Sequence, residues 1–132
     1  MNAVTSSAGN YRAGIIGLSG IAAGRGATPA HPALGAPQGG SHAAAYARVP
    51  GVDVVAVCEL KTELLDGFRT TWGDVWPEVN TYTDYKAMLR EEGLDLLSVA
   101  TSDHLHADMV VDAVAAGVKG IFCEKPLATS TA

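Results

Sequence analysis

Two periods alternate along this chain. Short, nearly continuous apolar runs rich in β-branched residues occupy Ala13–Gly17, Val52–Cys58, Leu94–Ala100 and Gly120–Cys123, a pattern that suits strands buried on both faces of a parallel sheet. Between them, apolar residues recur three and four positions apart: Leu64, Leu65, Phe68 and Trp72, then Tyr85, Met88 and Leu89, then Met109, Val110, Ala113 and Val114. Each set predicts a helix with one face on the sheet. Thr81-Tyr82 reads as a short extra strand, Thr83 as the N-cap of the helix after it, and Gly93 and Gly117 as helix stops. Strand, helix, strand, helix with short turns implies right-handed crossovers, hence an α/β protein with an open, doubly wound parallel sheet. Ligands of such sheets bind beyond the carboxyl ends of the strands.

A chain of 132 residues, 48% hydrophobic and 17% charged, supplies one core of ordinary size and therefore a single domain, over residues 12–132, behind a flexible N-terminus over residues 1–11. Eight of the fifteen glycines and three of the six prolines fall between Gly14 and Gly40, where Arg25 is the only formal charge. This reads as an inserted glycine-rich loop over about residues 24–40, followed by a helical signal at Ser41–Tyr46. The net charge of −5 gives no electrostatic footprint for nucleic acid or an anionic membrane. No apolar run reaches the length of a bilayer span, and the first residues lack the layout of a signal peptide, so a cytoplasmic protein is expected. Cys58 and Cys123 lack metal-ligand spacing and make no disulfide framework; no metal site is expected.

The candidate chemistry falls at the strand ends. After the first strand comes Gly17-Leu18-Ser19-Gly20-Ile21-Ala22, close to the Gly-x-Gly-x-x-Gly/Ala fingerprint in which glycines make a tight turn and let backbone N–H groups approach a pyrophosphate. Ser19 stands where the second glycine is usual, and a ligand-free glycine turn explains the stretch equally well. The helix N-terminus facing a phosphate lies either near Gly20 or near Ser41, with Gly17–Ile21 favoured because it follows the strand directly. Glu59, closing the second strand, suits the ribose hydroxyls of NAD and repels the 2′-phosphate of NADP; Lys61 offsets that preference, so NADP is the alternative cofactor. A solvated acid opening a helix is the plainer account of Glu59. Two polar turns follow the fourth and fifth strands, Thr101-Ser102-Asp103-His104-Leu105-His106 and Glu124-Lys125-Pro126. They are placed to flank the nicotinamide end of a cofactor, and an ammonium beside a glutamate can act on a substrate hydroxyl. The plain alternatives are an exposed loop lysine and packed or capping histidines.

Together these segments resemble the amino-terminal domain of the Gfo/Idh/MocA oxidoreductases, the glucose-fructose oxidoreductase and inositol dehydrogenase family: Gly-Ile-Ile-Gly, Val-Ala-Val-Cys-Glu, Thr-Ser-Asp-His-Leu-His and Cys-Glu-Lys-Pro-Leu-Ala, over roughly Arg12 to Ala132. The resemblance implies a Rossmann-type domain binding NAD, with Gly17, Ser19, Gly20, Ile21, Glu59, Thr101, Ser102, Glu124 and Lys125 around the cofactor. It implies Lys125 at the reacting hydroxyl and His106 closing the Thr101 turn, the two being the catalytic candidates. It further implies hydride transfer between nicotinamide and an alcohol carbon of a sugar or polyol, and a second α/β domain that completes the substrate pocket. That domain is expected to be missing here, which implies a fragment or an isolated cofactor domain of low turnover, with homo-oligomerisation admitted. Ser19, Ser102 in place of a proline, and the insertion depart from the family pattern. Two competing readings are a non-catalytic cofactor-binding or interaction module, and a methyltransferase-like nucleotide binder. The latter gives no reason for Glu124-Lys125-Pro126.

Overall fold

A computed structural model describes residues 9–26, 33, 40–125 and 128–130; of Asp103 it describes the backbone alone. Five strands, β1 (Tyr11–Ile16), β2 (Val52–Cys58), β3 (Asn80–Tyr82), β4 (Leu96–Val99) and β5 (Gly120–Cys123), form one sheet in the order β3-β2-β1-β4-β5. Every neighbouring pair is parallel. The strand order reverses between β1 and β4, which opens a crevice beyond their carboxyl ends.

The helices divide between the two faces. Short helices α1 (Gly20–Ala23) and α2 (His42–Ala47), with α3 (Thr62–Trp72), cover one face; α4 (Tyr85–Glu92) and α5 (His106–Ala115) cover the other, α5 being preceded by a 3₁₀ turn at Asp103–Leu105. Successive strand residues feed opposite cores. Ile15 packs with Phe68, Trp72 and Trp76 on the first face, and Ile16 with Met88, Leu97 and Met109 on the second. The β1–β2 register shifts between Ala13 and Gly14, so Val54 and Val57 both join the first core while Ala56 and Cys58 join the second. At the amino-terminal edge of the sheet the buried Glu92 carboxylate accepts from Arg12 Nη2 (2.9 Å), Asn80 Nδ2 (2.8 Å) and the Tyr82 hydroxyl (2.6 Å), tying α4 to β1 and β3.

Several expectations need correction. The first strand begins at Tyr11, whose N–H donates to Gly51 O at 2.7 Å, so residue 11 belongs to the sheet; residues 1–8 lie outside the described residues. The fourth strand is shorter than its apolar run, because Asp95 turns inward and accepts from Arg12 N at 2.9 Å. Asp84, rather than Thr83, caps α4, its carboxylate accepting from Lys86 N at 2.9 Å. Val114 is 62% exposed on the outer side of α5. Burial on both faces fails for β5, which is an edge strand with Phe122 61% exposed. Gly93 does stop α4 in the left-handed conformation, at φ 59°.

The insertion also has definite ends, although most of it lies outside the described residues. Gly40 N donates to Gly26 O at 2.9 Å, and the Ser41 hydroxyl bonds to Gly24 O while accepting from Ala44 N at 3.0 Å as the N-cap of α2. Arg25 fixes the departing chain to α3 through a two-pronged contact with Asp74 (2.8 and 2.9 Å) and by lying 4.9 Å over the Trp72 ring. No helix among the described residues is long and apolar enough to cross a membrane.

Candidate cofactor cleft and the turns around it

Gly17 ends β1 with φ 91°, a conformation that side chains disfavour, and a Cβ there would stand 2.6 Å from Ala100 O. The chain therefore turns sharply against the end of β4. Its N–H donates to Cys58 O at 2.9 Å, which keeps the turn level with the end of β2. The next amide, Leu18 N, donates to Glu59 Oε2 at 3.0 Å, and Lys61 N donates to Glu59 Oε1 at 3.2 Å. Backbone on either side thus orients the Glu59 carboxylate, each oxygen keeping acceptor capacity beyond the one bond it makes. Gly20 has nothing within 4 Å of the place its Cβ would take, so the outer side of the turn is open to a ligand.

A cleft of about 700 Å³ lies over these strand ends, and Gly17, Ser19, Glu59, Thr101 and Ser102 all line it. Its remaining wall includes Lys61, whose charge the sequence already sets beside that of Glu59, and Tyr85, Leu105 and Met109, which the sequence reading left out of the site. The Thr101 hydroxyl donates to Met109 Sδ at 3.5 Å, and burial above all, then a hydrogen bond to Asp112, pushes the Tyr85 hydroxyl up to about 12. Cys58, also on the wall, is pushed up to about 12 by burial, with Asp84 and Glu59 adding to the effect, so this thiol stays protonated at neutral pH.

The other expected site residues go elsewhere. His106 is 1% exposed and its Nε2 donates to Thr101 O at 2.9 Å, so the ring sits beneath the Thr101–Leu105 turn instead of facing the cleft. Ile21 and Glu124 line a second depression, of about 400 Å³, between α2 and β5. Lys125 is exposed at the exit of β5 and lines neither depression.

The Glu124 carboxylate is occupied by a residue that the sequence reading passed over. His42 Nε2 lies 2.7 Å from Glu124 Oε1, His42 Nδ1 lies 2.8 Å from Ser98 Oγ, and the Tyr46 hydroxyl lies 2.9 Å from the same Oγ. A carboxylate only accepts, so Nε2 carries a proton; with the imidazole neutral, Nδ1 accepts from Ser98, Ser98 accepts from Tyr46, and every group in the chain is matched. Burial holds the Tyr46 hydroxyl above its ordinary range. Serine, histidine and an acid in sequence suggest a hydrolytic triad, but Ser98 is 1% exposed and its hydroxyl is already shared between His42 and Tyr46. The sequence did hold a signal: Ser98 is the one hydroxyl inside an otherwise apolar buried run, and a buried hydroxyl needs a partner. Among the described residues, no group of three or more His, Cys, Asp and Glu side chains is arranged to hold a metal ion.

The profile of the Gfo/Idh/MocA family, described as an oxidoreductase family with an NAD-binding Rossmann fold, matches residues 11–132. Inositol 2-dehydrogenase of Salmonella typhimurium is 33% identical over 84 residues, covering 64% of this chain and 24% of the relative. D-Apiose dehydrogenase of Paraburkholderia graminis is 34% identical over 92 residues, covering 70% and 23%. The chain therefore spans about a quarter of the length of these relatives. Among solved structures, myo-inositol 2-dehydrogenase of Lactobacillus plantarum superposes with a TM-score of 0.62 at 26% identity, over 92% of this chain and 30% of that one. The parallel sheet, its glycine turn against a strand-end glutamate, and the match over nearly the whole chain lead to one conclusion: the chain belongs to the Gfo/Idh/MocA oxidoreductases and is an NAD-binding Rossmann domain of that family.

Proposed function

We propose that the cleft over Gly17, Glu59 and Thr101 is the NAD site, and that the whole protein moves hydride between nicotinamide and an alcohol carbon of a sugar or polyol. One observation carries the reading: the Leu18 N–Glu59 Oε2 bond joins the phosphate-type turn and the ribose-type acid on the wall of a single cleft, at the point where the strand order reverses. The backbone N–H groups of Ser19 and Gly20 take the pyrophosphate, whose approach the bare Gly20 permits. Glu59 accepts from the ribose hydroxyls. Its negative charge opposes a 2′-phosphate, so NAD is preferred over NADP. Thr101 and Ser102 border the nicotinamide half, and His106 acts on it at one remove by holding the Thr101 carbonyl. Nicotinamide supplies hydride acceptance when bound. Lys125, exposed at the end of β5, takes the part of orienting the substrate hydroxyl as an ammonium or, in its neutral amine form, receiving the hydroxyl proton. The names of the inositol and apiose dehydrogenase relatives support a polyol or sugar as the substrate class.

Titration calorimetry tests the cofactor site on this chain directly. NADH is expected to bind more tightly than NADPH. Glu59→Ala is expected to weaken NADH by about 1–3 kcal/mol, the loss typical of a hydrogen-bonded charged group, and to narrow the gap to NADPH. Absence of binding by either cofactor at millimolar concentration overturns the reading.

A further inference from the structure

We infer that His42, backed by Ser98 and Tyr46, is a positioning residue that clamps Glu124 and thereby fixes where β5 delivers Lys125. The importance of holding Lys125 rests on the function proposed above; the clamp itself does not.

The argument begins with the strand. Among the described residues β5 pairs only with β4, so its exit has backbone support from them on one side alone. Its last ladder-type bond is Glu124 N to Val99 O at 2.9 Å, and beyond it the chain bends at Lys125, whose side chain makes no hydrogen bond or ion pair among the described residues. Alternation sends Phe122 and Glu124 to the α2 face. Both meet His42 there: the Phe122 ring stands edge-on at 4.7 Å, and the Glu124 carboxylate takes the Nε2 proton. Ser98, register partner of Phe122 on the adjacent strand, fixes the opposite side of the same ring. The imidazole is thus set between β4 and β5 and orients the one carboxylate that precedes Lys125. An apolar side chain would fill this space without the cost of burying imidazole and hydroxyl groups, so what the polar chain adds is direction.

Site-resolved amide exchange of the chain without cofactor tests the clamp. His42→Leu, which keeps bulk, and Glu124→Ala, at a part-exposed side chain, are each expected to speed exchange of the amide at position 124, which is bonded to Val99 O, about tenfold, the factor corresponding to loss of roughly one hydrogen bond. The amides of Ile15 and Ile16 are expected to keep their wild-type rates. His42→Gln restores an N–H donor to Glu124 and is expected to return the local rates toward wild type. Nitrogen-15 spectra should show the His42 proton on Nε2. Unchanged exchange at position 124 in both disruptive variants, a uniform rise across the sheet, no rescue by glutamine, or a ring bare at Nε2 overturns the clamp. Failure of wild-type chain to bind NADH, by contrast, overturns the proposed function and leaves these exchange results standing.

Discussion

At Gly17 one residue meets two separate demands, a left-handed backbone and contact with Ala100 O too close for any Cβ. Gly17→Ala relieves neither, since the methyl would stand 2.6 Å from a carbonyl oxygen on a neighbouring strand that has little freedom to move. Strain of this kind costs about 1–3 kcal/mol. The expected outcome is a lower urea midpoint with an unchanged slope, together with weaker NADH binding measured where the variant is still folded, because the Leu18 and Ser19 amides shift with the turn. A wild-type midpoint would show that the turn relaxes freely. Gly17 and Glu59 were legible in sequence because each sits where an apolar run stops, which is local information. His42 was not, since its partners Ser98 and Glu124 lie 56 and 82 positions away and only folding brings them to the ring. For the same reason the spacing of His106 from Thr101 is visible in the sequence, whereas the direction of its Nε2 into the Thr101 carbonyl is not.

Among the elements, β2 was readable end to end because burial on both faces demands a continuous apolar run, and the limits of β5 were readable from its own apolar run. Boundaries decided by single side-chain bonds were not: Asp84 took the cap expected of Thr83 because its carboxylate reaches the Lys86 amide. The exposure of Phe122 was hidden too, since a strand's sequence does not say that it will stand at an edge. The inserted loop gives the clearest test at this scale. Its ends are already joined, by Gly40 N to Gly26 O at 2.9 Å and by Ser41 to Gly24, so the helices on either side do not need the residues between to bring them together. Deleting residues 27–39, with a Gly-Gly bridge from Gly26 to Gly40, is expected to leave NADH affinity within about twofold and to change stability by less than about 1 kcal/mol, the scale of loop-closure entropy. Calorimetry and thermal unfolding check both. A large loss of NADH affinity would instead make the loop part of the cleft.

Across the whole molecule, the second core and the cleft share titratable groups that burial holds in their neutral forms. Cys58 lies at the end of β2 and Tyr85 at the start of α4, and both line the cleft near Asp84 and Glu59. Burial is the main cause of each shift: the Cys58 thiol rises from 9.0 to about 12, and the Tyr85 hydroxyl from 10.0 to about 12. Tyr82, bonded to the buried Glu92 carboxylate, shifts in the same direction. A group whose pKa is higher in the folded chain than in the unfolded one binds its proton more tightly when folded, so its contribution to stability is complete below the unfolded value and is lost as pH climbs to the folded one. For Cys58 that window runs from about pH 9 to about 12, and for Tyr85 from about 10 to about 12. Urea midpoints are therefore expected to show no loss from these groups up to about pH 9 and a progressive one above it. Cys58→Ala is expected to lower the midpoint at neutral pH, by removing buried volume, yet to make the alkaline decline shallower, because one titrating group is gone. Tyr85→Phe should also flatten the decline, starting about one pH unit higher, where the free phenol begins to ionise. Equal slopes for wild type and Cys58→Ala between pH 9 and 12 would mean that the thiolate is tolerated at the end of β2, contrary to its burial beside two carboxylates.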